Sequence, residues 1–155
     1  MSSTILVVTV GGSCQPVVTA INDYTPTHVC FLASTGNRGS RPTVDGDERP
    51  CKSFNDDDKP SIIKQTGLGE KQYTIKEIDD PDSLQECYAV ARGALAELIA
   101  HFPDQRHVAD YTGGTKSMSV GLTMAALEAD WELSLVKGAR TDLVKVVDGT
   151  EVAGL

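Results

Sequence analysis

The chain has 155 residues, the size of one domain, with 40% hydrophobic and 23% charged residues and no apolar run near the roughly 20 residues that cross a bilayer. Its formal net charge of −8, from 14 basic and 22 acidic side chains, repels long polyanions, which excludes a general coat for genomic DNA and a dock on anionic lipid. A small anion is still admissible, because helix termini and backbone amides do not enter the net charge.

The start, "MSSTILVVTV", lacks a basic leader and a small-residue cleavage pattern, so Thr4 to Val10 reads as a strand buried on both faces and a cytoplasmic location is expected. Gly11 and Gly12 end it. Pro16 suits the first turn of a helix that continues through Val17, Ile21 and Tyr24. "HVCFLAS", His28 to Ser34, repeats the buried-strand pattern. From Thr35 to Pro60 the chain turns rich in Gly, Pro, Asp and Arg without apolar periodicity, and a long mobile loop is expected there. Its "NDDD" run, Asn55 to Asp58, lacks the spacing of a calcium loop and reads as a solvated charge run.

A short helix is expected around Ser61 to Gln65 and a strand over Tyr73 to Ile78. "SLQE", Ser83 to Glu86, has the form of a capping box, opening a helix whose face carries Leu84, Tyr88, Ala91, Leu95, Leu98 and Phe102, with Pro103 as its stop. His107 to Thr112 begins another strand. After "TGGTKS", Met118, Leu122, Ala125 and Ala129 form a helical stripe that Val120, Met124 and Leu127 extend, so this helix is expected to be largely buried. "WELSLVKG" and "LVKVVDGTEV" close the chain as strands, with a two-residue turn at Asp148 and Gly149. Alternating strands and helices point to an α/β, Rossmann-like, mostly parallel sheet flanked by helices on both faces, with an antiparallel C-terminal tail. The four cysteines, Cys14, Cys30, Cys51 and Cys87, show no metal-ligand spacing and are expected as reduced, packed thiols; no metal or cofactor is expected.

In such sheets ligands bind beyond the C-terminal ends of the strands. Two loops stand there, "GGSCQP" from Gly11 to Pro16 and "TGGTKS" from Thr112 to Ser117. In the second, Gly113 and Gly114 let backbone amides approach a partner, and the helix start near Thr115 adds about half a positive charge. Thr112, Thr115 and Ser117 offer hydroxyls and Lys116 a flexible cation. The same residues equally suit a strand-to-helix turn capped by Thr115. A Walker loop is excluded, since Thr115 and Asp110 stand where it needs glycines, and the G-x-G-x-x-G dinucleotide fingerprint is absent.

"ILVVTVGGSCQPVVTAI", Ile5 to Ile21, together with "DYTGGTKSMSVGL", Asp110 to Leu122, resembles the CARF domains of type III CRISPR accessory proteins, which are Rossmann-like sensors of cyclic oligoadenylate. The resemblance implies that the turn over Thr112, Gly113, Gly114, Thr115, Lys116 and Ser117 holds the ring's phosphates. Gly11, Gly12 and Ser13 would line the same pocket, and Ser34, Thr35, Asn37 and Arg38 would form a third side. It also implies a homodimer, consistent with the two-fold symmetry of an even-numbered ring. An effector domain in cis, in a longer protein, or a partner in trans would carry the response.

Sensing without catalysis ranks first. By the same resemblance a ring nuclease is the alternative, with Lys116 and Ser13 the residues to suspect, since positioning alone accelerates ring opening. A Rossmann-like enzyme on a phosphorylated metabolite would need Asp110 as its acid or base. A pure interaction module would present Met118, Met124 and Trp131, although core packing explains these more simply.

Overall fold

The computed structural model of the chain describes residues 3–53, 57–147 and 151–154. A single seven-stranded sheet has the order β3-β2-β1-β4-β5-β6-β7. β1 (Thr4–Val10), a β-branched and leucine run, and β2 (His28–Ser34), apolar between its polar ends His28 and Ser34, are buried at every position, as suits central strands covered on both faces. β3 (Tyr73–Ile78), β4 (Arg106–Asp110) and β5 (Glu132–Lys137) join them in parallel, and β6 (Arg140–Val147) and β7 (Glu151–Gly154) add the antiparallel tail.

Strand alternation splits the core in two. Leu6, Val8, Val29, Phe31 and Val108 face α1 (Gln15–Tyr24), α2 (Arg41–Asp45) and α3 (Ile62–Thr66). Ile5, Val7, Leu32, Ala109 and Leu133 face α4 (Leu84–His101) and α5 (Lys116–Glu128). The α4 start forms as its sequence dictates: Ser83 Oγ accepts the Glu86 amide at 3.2 Å. The chain runs outward from β1 through β2 to β3, then returns along α4 to the other side of β1. Its direction of winding therefore reverses between β1 and β4, which opens a crevice between the loops that follow them.

Several expectations are corrected. Cys14 and Cys51 form a disulfide, so only Cys30 and Cys87 remain as buried free thiols. Pairing was hidden because the partners are 37 residues apart and the fold alone brings the β1 loop against the segment after α2. The stretch from Thr35 to Pro60 carries α2, buries Val44 and Cys51, and pairs Cys51 with Lys59 by backbone bonds of 3.1 and 2.8 Å. α5 is not largely buried: it packs through Met118, Gly121, Leu122, Ala125 and Ala126, leaving Val120, Met124 and Leu127 exposed at 46%, 42% and 47%. The small residues let α5 lie close on α4, and that narrow contact leaves its opposite face uncovered. β4 stops at Asp110 rather than Thr112, because the Asp110 carboxylate turns the chain by accepting the Thr112 amide at 3.0 Å. A hairpin at Gly138, φ +63°, joins β5 to β6, whereas the expected turn at Asp148 and Gly149 lies outside the described residues. Of the run from Asn55 to Asp58, Asp57 and Asp58 are described; Asp57 is exposed and Asp58 is engaged by Lys52 at 3.1 Å.

Helix contact on α5 yields the first prediction. A Cβ on Gly121 would sit 2.8 Å from the Tyr88 nitrogen and 2.9 Å from the Cys87 carbonyl carbon, both backbone atoms of α4 that cannot swing aside. Gly121→Val is expected to destabilise the domain by about 1–3 kcal/mol, read as a lower urea midpoint in circular dichroism. An unchanged midpoint would mean that the helices separate freely.

Candidate functional site

Loops from the C-terminal ends of β1, β2, β3 and β4 converge on a cavity of about 260 Å³ lined by Gly11, Gly12, Ser34, Arg38, Pro81, Gly114 and Thr115, with Gly39, Ser40 and Thr43 completing one wall. Larger cavities, about 410 Å³ beside Trp131 and about 350 Å³ beside His28, lie away from this convergence of loops.

Backbone contact builds the cavity floor. A Cβ on Gly11 would lie 2.6 Å from the Gly114 nitrogen, and one on Gly113 would lie 2.4 Å from the Thr9 carbonyl oxygen, so the β1 and β4 loops touch main chain to main chain. Gly114 adopts φ +85°, which turns the chain into α5 at little steric cost only for glycine. Thr9 Oγ1 donates to the Gly113 carbonyl at 2.6 Å and Ser119 Oγ donates to the same oxygen at 3.0 Å, which locks the turn from both sides.

Hydroxyls counted as anion donors are largely committed within the protein. Thr115 caps α5 by accepting the Met118 amide at 3.2 Å and donates to the Pro81 carbonyl. Ser117 donates to the Asp82 carbonyl at 3.1 Å, and Thr112 Oγ1 accepts the Val136 amide at 2.7 Å. These bonds fasten the glycine turn to the β3–α4 loop and to β5. What faces outward is the start of α5, where the Lys116 and Ser117 amides have no intrahelical acceptor, and the Lys116 ammonium, which is exposed and makes no ion pair among the described residues.

Across the cavity the β2 loop is tied by a reciprocal pair of buried serines. The Ser34 amide donates to Ser40 Oγ at 3.0 Å and the Ser40 amide donates to Ser34 Oγ at 2.9 Å. Asn37 and Arg38 stand exposed at its tip, and Thr35 is held aside by a 2.8 Å bond to Asp79. Ser34 and Arg38 thus line the cavity with Gly11, Gly12, Gly114 and Thr115, whereas Ser13, Thr35, Asn37, Thr112, Gly113, Lys116 and Ser117 stand in the same loops outside its immediate wall. Gly39, Ser40, Thr43 and Pro81 were missed in the sequence. Of these, Pro81, a proline in the loop between β3 and α4, carried a local signal; Gly39, Ser40 and Thr43 face the cavity because Gly39 packs on the backbone of Ser34, where a Cβ would meet the carbonyl oxygen at 2.3 Å.

Asp110, the acid–base candidate, is 3% exposed and does not line the cavity. Its carboxylate accepts Ser134 Oγ at 2.7 Å and the Thr112 amide at 3.0 Å, and Tyr24 donates to Ser134 at 2.8 Å, a chain linking α1, β5 and the glycine turn. Burial raises its pKa against the pull of these donors. The folded chain therefore keeps the Asp110 proton to a higher pH than the unfolded chain does. Its contribution to stability is complete below the ordinary value of 3.8 and is lost as pH rises through the folded-state value. Relative to Asp110→Asn, which does not titrate, the wild type is expected to gain stability between neutrality and about pH 4 in urea unfolding series. A pH-independent difference would remove the buried carboxyl as the cause.

No protein-family model matches the chain, and no curated protein matches it by sequence. Solved structures do match by fold. Can2 from Sulfobacillus thermosulfidooxidans, in complex with cyclic tetra-adenylate, superposes with a TM-score of 0.66 at 15% identity over 97% of this chain. Csm6 from Enterococcus italicus, bound to cyclic hexa-2'-fluoro-hexa-dAMP, gives 0.65 at 16% over 88%. A type III CRISPR defence DNA nuclease activated by cyclic oligoadenylate gives 0.63 at 16% over 92%. The chain spans only 36%, 34% and 20% of the lengths of these proteins. The Rossmann-like fold implied by the CARF resemblance is the fold the chain adopts.

Proposed function

We propose that this chain is a cyclic oligoadenylate sensor domain, in which two copies grip one ring across a two-fold axis and pass its presence to an effector domain or partner. The observation that carries this reading is the crevice between β1 and β4, where glycine loops line one small space and α5 begins beside it, with Lys116 exposed just outside the wall. The fold neighbours bound to cyclic tetra-adenylate and to a cyclic hexanucleotide analogue support the ligand class. Arg38, exposed at the tip of the β2 loop, faces the same opening from the other side.

A dimer follows from size and from the uncovered face of α5. The cavity of about 260 Å³ is below the usual range for one whole drug-sized ligand, so it suits a fraction of a ring, with a second copy holding the rest. Val120, Met124 and Leu127 run down α5 from the turn that carries Lys116, so a second copy seated on that stripe brings two lysine corners towards one axis. This arrangement reconciles a chain of charge −8 with a polyanionic ligand, since the cations needed are local and duplicated.

Adding cyclic tetra- or hexa-adenylate at 100 times its dissociation constant is expected to stabilise the protein by about 2.7 kcal/mol in thermal unfolding. Lys116→Ala is expected to weaken binding roughly tenfold to a hundredfold, with the apo melting temperature unchanged. Chromatography of the incubated ligand separates sensing from ring cleavage. Indifference to every cyclic adenylate would refute the proposal. In a separate measurement, Val120→Glu with Met124→Glu is expected to convert a dimer into a folded monomer by sedimentation; a variant that still dimerises would place the interface elsewhere.

A further inference from the structure

The Cys14–Cys51 disulfide lies outside the cavity's lining and ties the segment that follows Gly11 and Gly12 of one wall to the segment that follows Thr43 of the other. Cys14 directly follows Gly11, Gly12 and Ser13 and stands at the cap of α1, whose first turn begins with its carbonyl accepting the Val18 amide at 3.0 Å. Cys51 lies beyond α2, with its sulfur 3.7 Å from the carbonyl oxygen of Thr43, a residue of the opposite wall. The covalent ring closed by the bond encloses Ser34, Arg38, Gly39, Ser40 and Thr43.

Beyond α2 the outer part of that wall is held by this disulfide, a two-bond backbone bridge between Cys51 and Lys59, and exposed polar contacts. Among the described residues from 45 to 60, Cys51 is the one that is buried. Beside the Cys51–Lys59 backbone pair, Arg49 donates to the Asp58 carbonyl at 2.6 Å, the Ser53 amide to Asp58 Oδ1 at 3.2 Å and Lys52 pairs with Asp58 at 3.1 Å; these three are exposed, and exposed ion pairs add little stability. Cys30 is buried with its thiol pushed up to about 11, and burial likewise raises Cys87, so neither offers a competing thiolate.

We propose that Cys14 and Cys51 form a reversible redox modification site that sets the order of the cavity wall, so that thiol state tunes ligand binding. The ligand consequence rests on the sensor reading; the effect on the wall does not. In the forward step a thiolate of a dithiol reductant attacks one cystine sulfur and breaks the S–S bond, and the released sulfur takes a proton. The second thiolate of the reductant then displaces the mixed disulfide. The protein gains two electrons and two protons as two thiols, and the reductant leaves as its own disulfide; a small-molecule disulfide such as oxidised glutathione reverses the exchange. Opening of the lightly held segment around Cys51 gives the reductant its access.

The test compares the chain oxidised with glutathione disulfide, the same chain reduced with dithiothreitol, and the variant Cys14→Ser with Cys51→Ser. Hydrogen exchange of the amides from 38 to 44 and tryptic cleavage after Lys52 are expected to be about tenfold faster in the reduced chain and in the variant. The melting temperature is expected to fall by roughly 5–15 °C. Affinity for cyclic tetra- or hexa-adenylate is expected to fall about tenfold, while Cys30→Ser with Cys87→Ser keeps the full redox response. Four alkylatable thiols after oxidation, or equal exchange and cleavage in both states, would overturn the proposal. So would a loosened wall with unchanged ring affinity. If neither state binds a ring, the sensor reading fails by itself, and the exchange and cleavage rates still decide the redox site.

Discussion

Close approach of two backbones at the reversal point of the sheet governs this molecule. The loops after β1 and β4 meet where a Cβ on Gly11 would fall 2.6 Å from the Gly114 nitrogen, a distance no side chain tolerates. Removing both side chains does two things at once. It allows adjacent parallel strands to send their loops in different directions while still in contact, and it leaves amides unshielded at the place where α5 begins. Thr9 and Ser119 then clamp the Gly113 carbonyl from either side, so the amides are held by the same sheet and helix that form the core. An anion arriving there would meet donors already oriented, without the entropic cost of ordering a loop.

That rigidity also explains where the side-chain hydroxyls went. Thr115 and Ser117 bond the carbonyls of Pro81 and Asp82, and Thr112 accepts the amide of Val136, so the turn is stitched to the β3–α4 loop and to β5. Asp110 extends the stitching through Ser134 to Tyr24 of α1. The site is therefore a junction at which four loops hold one another, and its donors towards solvent are main-chain amides with Lys116 and Arg38 at the rim. In the proposed sensor, an anion that shifts the start of α5 would shift an element whose far side is the exposed stripe of Val120, Met124 and Leu127.

Much of this was legible in the sequence. The β-branched and leucine run over Thr4 to Val10 and the mainly apolar run over His28 to Ser34 suit central strands buried on both faces, and the Ser83 and Thr115 caps lie where side-chain oxygens meet free amides. Legibility failed where tertiary contact decides. The apolar residues of α5 declare hydrophobicity all round, but only the fold shows that Gly121 presses it onto α4 and leaves the outer stripe bare. The stretch after β2 has too few apolar residues to show periodicity, so neither α2 nor the role of Val44 was readable. Gly39, Ser40 and Thr43 became cavity residues only through the Ser34–Ser40 exchange of bonds, a pattern of the folded loop rather than of residue type.

The cystine belongs to the same class of hidden features, and it bears on how the two halves of the cavity differ. The β1–β4 half is held by contact between buried strands and a helix, an arrangement that opens only when the core opens. The β2 half is fixed near the sheet by the Ser34–Ser40 bonds and the buried Val44, and beyond α2 it extends into a polar segment held by the Cys51–Lys59 backbone bridge and by the cystine to the residue that follows Ser13. On the redox proposal, a cavity built this way has one invariant side and one adjustable side. The invariant side carries the glycine turn and Lys116, and the adjustable side carries Arg38. Under the sensor and redox proposals, affinity for an anion varies with the position of Arg38 while the fold and its exposed α5 face stay constant, which would separate control of binding from control of structure within a single small domain.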